Sequence, residues 1–221
     1  MKRVLTLALL VTLLTGSALA ADWRLGVQGG VNMSGLNGDR PSNVSFGKRT
    51  GAIVGAVGEL RIAEDVWLSV QPMFMQRGTT SQIAVPGEPE KQDGPTAEFD
   101  YLGVPLLVKI VANNGRTYVT GGINLGFLLD AKLVAQDATE DMKDQLNAFD
   151  VAADIGFGLM VPIGRPILAF ELRYEQSVLN LADAGREEGD DFLPVRFRSS
   201  GFQLLAGIQW PLGGGDRHET R

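Results

Sequence analysis

The stretch Phe99 to Ile110 reads F-D-Y-L-G-V-P-L-L-V-K-I, and its alternation decides the fold. Leu102, Val104, Leu106, Val108 and Ile110 form one wholly apolar row. Tyr101, Gly103, Pro105, Leu107 and Lys109 form the other. A period of two over this length specifies a β-strand with two unlike faces. The apolar row is long enough to cross a bilayer core, which takes roughly 9–11 tilted residues. The second row carries a lysine, which lipid tolerates poorly. One face is therefore expected toward lipid and the other toward a partly polar interior. A lone strand in a membrane leaves its backbone groups unsatisfied, so the rest of the chain must close a barrel around it.

The ends of the chain fit that requirement. Lys2 and Arg3 precede an apolar run from Val4 to Leu14, followed by Ala18-Leu19-Ala20. A basic start, a short apolar core and an A-x-A site describe a signal peptide over residues 1–20. Its removal takes away two positive charges and moves the net charge from −6 to −8. An acidic balance argues against nucleic acid as a partner. The chain has no cysteine, so neither a disulfide nor a lipidated N-terminus is expected. No later run reaches the roughly 18 apolar residues of a transmembrane helix. The expected domains are the signal peptide, a barrel over 21–211 and a polar tail over 212–221.

Seven further segments alternate in the same way: 23–32, 48–60, 66–77, 117–130, 149–161, 167–179 and 197–211. Pro72 predicts a bulge or kink in the third strand, since it removes one ladder donor. The facing of the second strand is ambiguous, because Gly51, Ile53, Gly55 and Val57 are nearly as apolar as Ala52, Val54, Ala56 and Leu60. Long polar connections are read at 33–47, 78–97, 131–148 and 180–196. Within the third, Asp137 to Glu140 fits a capping box, and Met142, Leu146 and Phe149 fall near helical spacing, predicting a short helix. Tight turns are read at 61–65, 112–116 and 162–166, the second carrying the hairpin signal Asn114-Gly115. Every tight turn follows an even-numbered strand. That rhythm predicts an all-β, eight-stranded antiparallel up-and-down transmembrane β-barrel in the bacterial outer membrane, with short turns and both termini on the periplasmic side. Trp23, Trp67, Tyr101, Phe149, Tyr174 and Trp210 lie near strand ends, as interfacial girdles require.

Three segments in order carry a resemblance: Phe99–Ile110, G-G-I-N-L-G-F-L-L-D-A-K over 121–132, and L-A-F-E-L-R-Y over 168–174. The chain resembles the PorT-like outer-membrane β-barrel family, whose members carry Y-L-x-x-P-L-L-x-K, G-x-x-x-G-x-L-L and E-x-R-Y strands. The resemblance implies a small barrel of the OmpA/OmpX size class and no single function. The polar tail after Trp210 departs from the family's usual terminal aromatic residue.

The inward rows hold Arg24, Glu59, Lys109, Asp154, Glu171 and Arg173, three of each sign. Eight strands enclose an interior just wide enough for side chains to fill. Unpaired charges there cost several kcal/mol each, so these six are expected to pair as a lumen ion network. A gated ion path and a carboxylate site are the competing readings.

Catalysis lacks parts. The only histidine is His218 in the tail, so no Ser-His or Asp-His device can form in the barrel. No catalytic, cofactor-binding or metal site is expected: zinc lacks cysteine and a histidine pair. Asp183, Asp190 and Asp191 are the best carboxylates for a divalent cation but lack EF-hand spacing. Gly213-Gly214-Gly215 precedes no helix and is no phosphate loop. The expectation is a non-enzymatic barrel whose loops serve envelope integrity, adhesion or partner docking. A narrow transport pore is the alternative, and a soluble lipocalin-like ligand-binding barrel the second. Expected partners are outer-membrane lipid and lipopolysaccharide, the barrel-assembly machinery and an envelope protein.

Overall fold

Alternating sequence becomes alternating exposure around a closed wall. The computed structural model describes residues 22–38, 44–84, 91–135, 138–181 and 197–212. Its strands are β1 (Trp23–Gly38), β2 (Val44–Arg61), β3 (Val66–Val70), β4 (Met73–Ile83), β5 (Gln92–Asp93), β6 (Thr96–Val111), β7 (Thr117–Val134), β8 (Thr139–Asp141), β9 (Phe149–Pro162), β10 (Ile167–Ser177) and β11 (Phe197–Leu212). β3 and β4 are two halves of one interrupted wall strand, and β5 and β8 are short additions to hairpins. Eight positions thus run round the ring. Every pairing is antiparallel, and β1 closes the ring against β11 from Trp23↔Leu212 to Gly38↔Phe197. Closure leaves the eight-membered wall no edge strand to satisfy, which is what a membrane demands.

The interruption lies at Gln71-Pro72, where the sequence predicts a kink. The ladder continues through it: Ala56 N–H donates to Pro72 O at 2.9 Å and Gln71 N–H to Pro105 O at 3.0 Å. Proline removes its own donor and leaves its carbonyl in use. A second irregularity lies opposite Asp100-Tyr101, where β7 holds Leu129 as an extra residue between Leu128 and Asp130.

Three connections at one end are tight. In the turn after β6, Gly115 takes φ +66° and the Asn114 side chain accepts from the N–H groups of Arg116 and Thr117. In the turn after β9, Gly164 takes φ +80°. Both conformations suit residues without a Cβ.

The other end differs from the sequence reading. The polar segments taken as loops continue the strands: β1 runs to Gly38 and β2 begins at Val44, within the expected loop 33–47. β4 extends to Ile83 and β6 starts at Thr96, within 78–97. Polar residues above a membrane keep ladder partners in water, so composition changes there while strand geometry does not. The expected helix after Thr139 is replaced by β8 and one 3₁₀ turn, Lys143–Gln145; Asp137, its proposed cap, lies outside the described residues. The expected signal segment 1–20, the acids Asp183, Asp190 and Asp191, and His218 also lie outside them.

The facing of β2 is settled by contacts. Ile53, Val57 and Glu59 are buried, and Ala52, Val54 and Ala56 face out. Two expected girdle residues point the other way: Trp67 and Tyr101 lie in the lumen. Their parity is that of Ser69 and Lys109, and parity outranks position along the strand. Tyr174 and Phe202 do stack on the outer face, ring centroids 5.1 Å apart.

Candidate functional site

The lumen is where the chain concentrates its charge. At the short-turn end, Lys109 Nζ lies 2.8 Å from Glu59 Oε1, and Arg24 Nη1 lies 3.6 Å from Glu59 Oε2. Gln209 Nε2 adds a hydrogen bond to Glu59 at 3.3 Å. Two lumenal aromatic faces, Tyr118 and the Trp67 expected in the girdle, take up these cations. Lys109 Nζ stands 4.1 Å from the Tyr118 ring centroid, and the Arg24 guanidinium stacks on Trp67 at 3.7 Å. An aromatic face over a desolvated cation replaces part of its lost hydration.

Midway, Glu171 receives four donors. Arg173 Nη2 and Nε reach its Oε1 at 2.7 and 2.8 Å, Thr120 Oγ1 at 3.1 Å, and Tyr118 donates to Oε2 at 3.0 Å. Arg173 also donates to Gln71 Oε1 at 2.7 Å. Asp154 is the least tightly held charge: its Oδ2 lies 3.7 Å from Arg173 Nη1, and neither oxygen is hydrogen-bonded among the described residues. The six residues singled out in the sequence therefore stand in two neighbouring groups, Arg24–Glu59–Lys109 and Asp154–Glu171–Arg173.

A third group was missed. Arg77 meets Asp150 at 2.9 Å and Glu175 at 2.7 Å, and its guanidinium lies over Tyr101 at 4.8 Å. Ser177 donates to Asp150 at 2.5 Å, and Asn124 to Glu175 at 2.6 Å. The signal was legible, since Arg77 shares the parity of Met73 and Met75, and Asp150 and Glu175 that of Asp154 and Arg173. Arg77 is the last residue of the segment 66–77, one inward position beyond Met75, where the sequence reading of that row ends.

Above this group an apolar cluster closes the lumen. Leu36, Phe99, Tyr101 and Leu128 on the wall meet Met142 and Leu146 from the β8–β9 connection and Leu181 beyond β10. The helical spacing of Met142 and Leu146 thus marks a cap, formed with one 3₁₀ turn. Among the described residues no group of three or more histidines, cysteines and acids is arranged to hold a metal.

The outside of the wall is apolar throughout its middle. Ile155 is 65% exposed and Leu204 59%, values that water would penalise and lipid would not. Residues 16–183 match the family described as "Outer membrane protein beta-barrel domain". The chain belongs to that family. No curated protein matches it.

Among solved structures, the outer-membrane barrel is similar to OprG of Pseudomonas aeruginosa at 10% identity, with a TM-score of 0.51, covering 88% of this chain and 97% of that one. It also resembles Ail of Yersinia pestis, solved with the heparin analogue sucrose octasulfate, at 13% identity and TM-score 0.47, covering 86% and 99%. Neisserial surface protein A follows at 12% identity and TM-score 0.47, covering 84% and 96%. At such identities the OprG likeness speaks for the fold alone. The barrel's place is the bacterial outer membrane, and lipid is its surrounding. A soluble lipocalin-like barrel is overturned by this membership and by an interior filled with ion-paired side chains.

Proposed function

We propose that the protein is a sealed, non-enzymatic outer-membrane anchor whose long hairpins serve envelope integrity, adhesion or partner docking. The observation that carries this reading is the filling of the lumen. Three ion-paired groups are stacked below an apolar cap contributed by the connections themselves. A path for solutes would have to break buried ion pairs, each costing several kcal/mol. The long hairpins are the surface left for a partner. The short turns and both termini face the periplasm on this reading, the usual arrangement for bacterial barrels. Residues 1–20 serve as the signal peptide, 21–211 as the barrel and 212–221 as the tail, with the barrel-assembly machinery and an envelope protein as partners. The finer kinship is PorT-like, on the three motif-bearing strands.

Planar-bilayer recording of the purified, folded full-length protein tests the reading. Heat-modifiable gel migration with no steady conductance is the expected result. Steady unitary channels would replace the anchor with a narrow transport pore.

A further inference from the structure

The outer wall is not evenly covered. Antiparallel register lines up Val108, Gly121, Ile155, Tyr174 and Phe202 as one cross-strand row over β6, β7, β9, β10 and β11. A second row, from Ile110 to Leu204, runs beside it two residues nearer the short-turn end. Between them lies an apolar groove of about 720 Å³, with Gly121 contributing no side chain to fill it. The groove is inclined. Val108 lies three residues before the end of β6 at Val111, whereas Phe202 lies ten residues before the end of β11 at Leu212. It therefore climbs from near the short turns toward the long hairpins.

A cation waits at its upper end. Lys48 Nζ stands 5.4 Å from the Phe202 ring centroid, on the lipid-facing parity of β2. Arg198 is exposed on the same face of β11, four residues beyond Phe202 toward the hairpin. Neither has a carboxylate partner among the described residues. The contrast with the next residue is direct: Arg49, on the opposite parity, is paired with Glu98 at 2.9 Å. Lumenal cations are paired, yet among the described residues neither of these two meets a carboxylate, and Lys48 stands beside the Phe202 ring. Basic residues at the membrane interface attract anionic headgroups, and aromatic rings mark the same level.

We propose that this wall binds one phosphorylated glycolipid of the outer leaflet. An acyl chain lies in the groove past Gly121, and a headgroup phosphate meets Lys48 and Arg198. Apolar surface and charge complementarity would then act on one molecule, so the barrel would hold it selectively within bulk lipid. The assignment to the outer leaflet rests on the proposed orientation, with the long hairpins outward.

Native mass spectrometry of the folded, delipidated full-length protein, re-supplied with lipid A, phosphatidylglycerol or phosphatidylcholine, tests this. Wild type is expected to retain one lipid A at least fivefold better than either phospholipid. K48E/R198E should lose that preference. G121L should lower retention about as much, because a Cβ at 121 points into open space, its nearest contact being Asp154 O at 3.8 Å. If G121L does not fold, G121A takes its place. Equal retention by wild type and both variants, or phosphatidylcholine held as well as lipid A, overturns the site. Phosphatidylglycerol held as well as lipid A overturns the glycolipid assignment. Heat-modifiable migration of each sample keeps the readings apart. A wild type that never folds defeats the membrane anchor, and a folded barrel with unselective retention defeats only the lipid site.

Discussion

Lys109 and Glu59 meet at 2.8 Å inside the barrel across 50 residues of sequence, on strands β6 and β2 that are not neighbours in this part of the ring. β3 lies between them, and their side chains cross its inner face. The pair therefore ties two strands that no ladder hydrogen bond joins there.

Lys109→Ala leaves Glu59 with the more distant Arg24 and Gln209. Removing one partner of a buried pair costs about 3–5 kcal/mol. The melting of heat-modifiable migration in detergent should fall accordingly. An unchanged midpoint would mean that the lumen is wet and Glu59 solvated.

Glu171→Ala should cost a similar amount, about 3–5 kcal/mol. It strips Arg173 of its closest carboxylate, leaves Thr120 without its carboxylate acceptor and leaves Tyr118 with only the Phe170 carbonyl at 3.5 Å. Glu171→Gln, which keeps an acceptor of the same shape, should melt between the two. A Gln variant less stable than the Ala variant would contradict the pairing role.

Gly158 faces the lumen, and a Cβ there would overlap the Tyr118 ring. Gly158→Leu is expected to destabilise by about 1–3 kcal/mol, the usual cost of overpacking. Thermal melting followed by near-UV circular dichroism, which reports the packing of the aromatic residues, Tyr118 among them, reads the effect. Wild-type signal and midpoint would show that the ring has room to move.

Ile155 stands in the middle of β9 on the outer face. Arginine there should cost about 2–4 kcal/mol in a bilayer, the range for a cation at mid-membrane on a barrel's lipid face. Urea unfolding of barrels refolded into vesicles measures it. No difference from wild type would remove the lipid from this face.

Met142→Asp with Leu146→Asp places carboxylates among the apolar side chains of the cap, Leu36, Phe99, Leu128 and Leu181. Faster protease cleavage of the β8–β9 connection is expected, with heat-modifiable migration retained, because the wall does not depend on the cap. Wild-type cleavage rates would mean that these side chains do not hold the connection down.

The sequence by itself determined the strand count, the three tight turns and the inside-outside parity of nearly every wall residue. A period of two is local, and lipid on one side with side chains on the other leaves each residue few choices. Arg24, Glu59, Lys109, Asp154, Glu171 and Arg173 were legible for that reason. Arg77, with its partners Asp150 and Glu175, followed the same rule but lay where the strand was assumed to stop. Only the tertiary structure decided how far the strands continue above the membrane, because ladder hydrogen bonds there do not depend on apolar side chains. Only it decided the pairing of Lys109 with Glu59, the cations that Trp67 and Tyr101 meet, and the capping role of Met142 and Leu146. Each depends on which strands stand opposite one another across the lumen, and that follows from ring closure and register rather than from any one stretch of chain.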